Sequence, residues 1–142
     1  MKPRKLELPS LISLLIDEHK KSREKILRIE ELIMEGDYMK TRELVDELKS
    51  SLEQHIIDEE AVILKEALRL LGREESKDII EVFQQHKSIM NFVYQYINTI
   101  DSLQSGISII KELRKLIDQH YEKEEVEIFP RILKLYLKDK PV

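Results

Sequence analysis

The sequence predicts an all-α fold, an up-down-up-down antiparallel four-helix bundle. Three observations carry that expectation. Apolar residues recur at i, i+3 and i+4 over long stretches, and no run of β-branched residues alternates with period two. The three glycines, Gly36, Gly72 and Gly106, sit in the local breaks "MEGDY", "LLGREES" and "SLQSG", and the segments between them run for roughly 30 residues each. Of the four prolines only Pro130 falls inside a long periodic segment. Short connections make successive helices antiparallel neighbours.

The elements follow in order. A first helix over about 10–35 carries Ile12, Leu15, Ile16, Ile26, Ile29 and Ile33 on one stripe. A second, over about 38–70, carries Leu44, Leu48, Leu52, Val62 and Ile63. A third, over about 74–101, carries Ile79, Phe83, Val93 and Ile97. A fourth, over about 106–137, carries Ile109, Leu113, Leu116, Ile117 and Ile128. These stripes face a common core. Pro130 is expected to kink the fourth helix or set off its last turns. The apolar tail "ILKLYL" beyond it can pack back on the bundle or make a homodimer contact. The expectation is a single domain over residues 1–142, with its core over about 10–135.

Composition removes several classes. There is no cysteine, hence no disulfide framework, zinc finger, iron–sulfur cluster or thiol nucleophile. Charged residues make up 37% of the chain and the net charge is −4, but acid and base are interspersed, so no nucleic-acid stripe is present. No stretch approaches the roughly 20 apolar residues of a membrane span. The basic N-terminus is followed by an apolar run too short for a signal sequence. The expectation is a soluble cytoplasmic protein.

Four histidines are present, and the residue three before each is apolar: Ile16, Leu52, Phe83 and Ile117. His19, His55, His86 and His120 therefore lie on the inward stripes, one per helix. In antiparallel hairpins, residues equidistant from a turn lie side by side. The midpoint of His19 and His55 is residue 37, beside Gly36, and that of His55 and His86 is 70.5, beside Gly72. The midpoint of His86 and His120 is 103, near Gly106. All four rings should reach one level of the core. The pattern Q-H-x-x-x-E-E occurs twice, as "QHIIDEE" and "QHYEKEE", and places Glu59 and Glu124 four residues after His55 and His120. An i, i+4 pair shares a helix face. The chain reads as a duplicated hairpin that delivers four imidazoles and two carboxylates to one point.

Six polar side chains in a core each cost a few kcal/mol without partners. Mutual salt bridging can offset this, and a metal centre does so more fully, since imidazole and carboxylate suit Fe, Mn, Zn, Co or Ni. Six ligands exceed one tetrahedral zinc. They suit two ions, each with two histidines, bridged by both glutamates and by an oxide or hydroxide. A ferritin-like centre needs Glu-x-x-His, which no histidine here has.

With "IDEHKK", "HIIDEE", "QQHKS" and "HYEKEEVEIFP" in hand, the sequence resembles the hemerythrin-like (HHE cation-binding) family over roughly residues 10–135. The resemblance implies a non-haem di-iron site in a four-helix bundle, with Mn or Zn as other occupants. Its ligands, carried over by position, are His19, His55, Glu59, His86, His120 and Glu124. It implies O2, NO or peroxide as the small ligand. Oxygen carriers of the family bear H-x-x-x-H on the third helix and H-x-x-x-x-D on the fourth. Here Met90 stands four residues after His86, and the acid follows His120 by four. A missing fifth histidine favours NO, peroxide or redox chemistry over reversible O2 carriage. The pattern looks more like the iron–sulfur-repair branch, whose usual cysteine-bearing N-terminal domain has no counterpart here. Whether the protein is an enzyme is left open. The alternatives are an iron or oxygen sensor or a metal store without turnover, and a di-zinc or di-manganese hydrolase-like centre. Glu60 and Glu125 are either solvated charges or groups that orient ligands. Met90 is either core packing or a lid, Tyr94 could donate to a bound oxygen species, and Tyr121 is expected to point elsewhere.

Overall fold

A computed structural model describes residues 2–98 and 103–139 of the chain. Helix α1 (Leu8–Glu35) has Pro9 in its first turn, where a missing N–H breaks no intrahelical bond. It ends at Gly36, whose φ of 75° is left-handed. The Gly36 N–H donates to the Ile33 carbonyl and the Asp37 N–H to the Leu32 carbonyl, each at 3.0 Å. This pairing satisfies the last carbonyls and favours a residue without Cβ. The Asp37 carboxylate then accepts from the Lys40 N–H at 3.1 Å and caps α2 (Tyr38–Asp58).

Helix α2 runs straight into a π turn, Glu59–Ile63, and on into α3 (Leu64–Glu75). Within that last span Gly72 is not helical, with φ 77° and ψ 171°, and the rod bends there. The Ser76 hydroxyl donates to the Ala67 carbonyl at 3.2 Å and fastens the bend. Helices α4 (Lys77–Asn98) and α5 (Leu103–Lys123) follow, then a second π turn, Glu124–Ile128, and α6 (Phe129–Asp139). The result is four long rods: α1, α2–α3, α4 and α5–α6. Helix α1 packs on α2 and α5, and α4 packs on the same two. Helices α2 and α5 therefore lie on a diagonal of an up-down-up-down bundle. No strand occurs among the described residues.

The apolar core comes in two clusters. One, at the Gly36 end, is built around Ile26, Ile29, Leu48, Val93 and Leu113. The other, at the Gly72 end, is built around Leu11, Leu15, Ile63, Phe83 and Phe129. The four histidines and two glutamates lie between them in chain position on every rod.

Several expectations need correction. Gly106 is not in a break. It lies inside α5, and a Cβ there would come within 3.0 Å of the Tyr96 ring. The glycine serves close packing. The end of the third helix expected at 99–101 falls outside the described residues, as do Pro141 and the chain's last positions. Ile16 is 37% exposed rather than core, while Leu15 beside it on the expected stripe is fully buried. Pro130 is the second residue of α6, directly after a π turn, so the rod changes its winding just before the residue that cannot donate. The tail packs on the bundle: Ile132 is fully buried, and Leu133 and Tyr136 pack on the second cluster. Among the described residues no helix is long and apolar enough to cross a membrane.

Candidate metal centre

Each rod contributes one histidine to a layer across the bundle, and the four rings are all buried. Glu59 and Glu124 are fully buried with them. The Nε2 atoms of His19 and His55 lie 3.1 Å apart. Glu124 Oε1 is 3.3 Å from His19 Nε2 and 3.2 Å from His120 Nε2. Glu59 Oε2 is 3.3 Å from His86 Nε2, and its Oε1 touches His55 Nε2 and lies 4.0 Å from His19 Nε2. Two groups of donors emerge that could hold a metal ion. His19, His55, Glu59 and Glu124 form one, and His86, His120 and the same two glutamates form the other. Within each group the donor atoms all lie within 4.8 Å of one another.

The two glutamates open the two π turns. The Leu64 N–H donates to the Glu59 carbonyl and the Phe129 N–H to the Glu124 carbonyl, each five residues back. A π turn widens the helix by one residue and weakens its hydrogen bonding, and such turns concentrate at functional sites.

The outer nitrogens of His55, His86 and His120 are also held, while that of His19 has no hydrogen-bond partner. His55 Nδ1 pairs with Glu18 at 3.1 Å and His120 Nδ1 with Gln85 at 2.9 Å. His86 Nδ1 pairs with Glu60 at 3.0 Å, and His19 Nδ1 faces Glu125 at 3.5 Å. A partner at Nδ1 fixes the tautomer and turns Nε2 inward. The partners obey the internal two-fold. The residue before each hairpin's first histidine holds that hairpin's second. The residue after each buried glutamate faces the other hairpin's first. Glu60, although half exposed, thus bonds a ring, while Glu125 only stands near one.

Glu18 is itself pinned. Arg4 donates to both its oxygens, at 3.0 and 2.8 Å. The Arg4 Nε and backbone N–H donate to the two oxygens of Asp58, at 2.6 and 2.8 Å. Asp58 is fully buried. The N-terminal segment is thereby strapped over one side of the layer.

Electrostatics follow this wiring. Burial works to raise the Glu18 carboxyl, but bonds from His55 and Arg4 outweigh it and hold it at about 2. Burial works to lower His55, but Glu59 and Glu18 outweigh it and lift it to about 9. His86 is raised against its burial by Glu59 and Glu60. His120 is lowered to about 3, by burial first and then by the charges of its sister rings, against the pull of Glu59. His19 is lowered mainly by burial. Glu59, despite burial, is held well below the usual carboxylate range by His55, His19 and His86.

Apolar rings wall the layer. Tyr121 stacks on His19 with centroids 3.7 Å apart, Phe129 lies 6.0 Å from the same ring, and Phe83 stacks on His86 at 5.2 Å. Tyr121 is therefore at the site, contrary to expectation. Tyr94 is not: it is 43% exposed and its hydroxyl reaches Glu53. Met90 packs against the first apolar cluster. Sequence reasoning missed Arg4, Glu18, Asp58 and Gln85. The one available signal was that Glu18 and Gln85 both immediately precede a histidine.

The donor set suits cations. Both oxygens of Glu59, both of Glu124, and His86 Nε2 are buried and have no hydrogen-bond partner. Leaving such atoms unsatisfied costs about 1–3 kcal/mol each, more when charged. Divalent ions between the imidazoles and carboxylates would satisfy all of them.

One family model, the hemerythrin HHE cation-binding domain, matches residues 10–132. No curated protein and no solved structure is similar enough to be matched.

Proposed function

We propose that this chain, which belongs to the hemerythrin HHE cation-binding domain family, holds two iron ions in its core and binds or reacts with peroxide, NO or O2. His19 and His55 would hold one ion and His86 and His120 the other, with Glu59 and Glu124 reaching both. Mn or Zn could take the same donors. Bound iron supplies Lewis acidity and one-electron redox chemistry.

The observation that carries this reading is the set of buried carboxylate and imidazole atoms without hydrogen-bond partners, gathered into two groups that share both glutamates. The chain's residues define the rest. Tyr121, Phe129 and Phe83 exclude bulk water from the rings they cover. Met90, one turn beyond His86, brings a thioether where an oxygen carrier has a fifth histidine. Neither ion is then saturated by protein, which suits a small ligand reaching both. A bundle interior this narrow suits a diatomic or peroxide better than an organic substrate.

The test is rapid mixing of the iron-loaded protein with hydrogen peroxide, NO and O2 in turn, followed by absorption. Fast spectral change with peroxide or NO, and slow or irreversible change with O2, is the expected order. Reversible O2 binding on removal of gas, with inert behaviour toward the other two, would overturn it.

One observation favours a second reading, a sensor or metal store without turnover. His55 is wired through Glu18 to Arg4 on the N-terminal strap, so occupancy at the centre can be felt at the surface. Loss of strap protection from proteolysis on metal removal, with no multiple turnover of peroxide or NO, would decide for it.

A further inference from the structure

We infer that the two metal positions are unequal and that the His19/His55 position fills first, because Glu18 backs His55 where Gln85 backs His120. This rests on the two-ion reading above. The internal two-fold makes the comparison a controlled one. Glu18 and Gln85 each precede the first histidine of their hairpin, and each accepts from Nδ1 of the second, at 3.1 and 2.9 Å. The geometry matches and the chemistry does not. A carboxylate on Nδ1–H pushes electron density toward Nε2 and strengthens it as a donor, whereas a neutral amide does so weakly.

The supports differ as well. Glu18 is gripped at both oxygens by Arg4, and Arg4 is gripped by the buried Asp58. In the second hairpin the position matching Asp58 is Lys123, half exposed and paired with Glu127. Among the described residues nothing matching Arg4 braces Gln85. His55 is thus held ready, and His120 is held by one amide. The other pair of outer contacts works the other way. Glu60 bonds His86 Nδ1 at 3.0 Å, whereas His19 Nδ1 has no hydrogen-bond partner, Glu125 standing 3.5 Å away and also facing Arg23. Both are carboxylates, however, and Glu60 is 51% exposed, where water screens it. The difference between acid and amide dominates. Glu18 is therefore a positioning residue that sets the order of loading.

With only four histidines in the chain, ring-nitrogen NMR of the full-length, 15N-histidine-labelled protein reads each ligand separately. The probe is Zn(II) alone, added to chelator-treated protein. A partner change of this kind alters affinity by roughly 10- to 100-fold. At one equivalent the His19 and His55 signals should move to their bound positions, and those of His86 and His120 should follow only toward the second. The double variant Glu18→Gln with Gln85→Glu should reverse the order, and it conserves total charge. If that variant fails to fold, Gln85→Glu alone should narrow the gap, an effect that loss of structure cannot imitate. All four rings moving in step, or an order indifferent to both variants, overturns the inference while leaving two-ion binding intact. No ring moving at excess zinc overturns the two-ion reading itself.

Discussion

Stripped of metal, the protein should be most stable near pH 6.5, with stability falling on both sides. The histidines divide into two kinds. His55 is raised to about 9 and His86 is also raised. For a raised group the stabilisation is complete below the unfolded value of 6.5 and disappears as pH climbs through the folded value. For His55 that range is 6.5 to about 9, which at 1.36 kcal/mol per unit amounts to about 3 kcal/mol. His120 is lowered to about 3 and His19 is lowered too. A histidine that resists protonation in the fold costs stability as pH falls below 6.5, because the unfolded chain gains a proton that the fold refuses. For His120 this continues to about pH 3 and amounts to about 5 kcal/mol. Below the ordinary carboxylate value of 4.5 the Glu18 stabilisation also drains away, since its folded value is about 2. The assay is urea denaturation of chelator-treated protein from pH 4 to pH 9. Reloading with metal should raise the alkaline limb, because ligands bind deprotonated and metal stabilisation grows with pH. A metal-free profile flat across this range, or one still rising at pH 8, would refute the wiring of the layer.

Three further outcomes follow from the same structure. His55→Ala and His120→Ala should each reduce bound metal from two ions to no more than one per chain, measured by elemental mass spectrometry after desalting; unchanged metal content would remove those rings from the centre. Gly106→Ala should lower the melting temperature despite alanine's better helix propensity, because the new methyl meets the Tyr96 ring at 3.0 Å, an overpacking cost of about 1–3 kcal/mol; a rise in Tm would contradict that contact. Arg4→Ala should destabilise the protein by about 3 kcal/mol by leaving the buried Asp58 charge unpaired, and adding Asp58→Asn should recover part of the loss in denaturant titration. Additive losses would speak against the pairing.

Much of the bundle could be read from residue types alone because two regularities coincide. Glycines mark the turns at Gly36 and Gly72, and the histidines stand at equal distances from them. Those constraints are local and survive small errors in helix ends. The π turns at Glu59 and Glu124 were not legible, since the i, i+4 spacing of His55 and Glu59 looks the same whether the next turn is α or π. The hydrogen bonds that define the turns, from the Leu64 N–H to the Glu59 carbonyl and from the Phe129 N–H to the Glu124 carbonyl, leave no mark on that spacing. Tyr121 was misplaced for a related reason. Its ring lies against His19 of the neighbouring helix, a relation set by packing between rods rather than by position along one rod. The Arg4–Asp58 contact joins residues 54 positions apart through a strap outside any helix, and no periodicity points to it. Gln85 and Glu18 were visible as neighbours of histidines, but which ring each would reach depends on the antiparallel register.

The most direct test of the whole account is the metal content and absorption spectrum of protein loaded anaerobically with Fe(II) and then exposed to air. The account predicts about two irons per chain and new near-ultraviolet and visible absorption on oxidation that disappears in His55→Ala and His120→Ala. Less than about half an ion per chain, whichever divalent metal is supplied, would contradict it and leave the histidine layer as a polar network within the core.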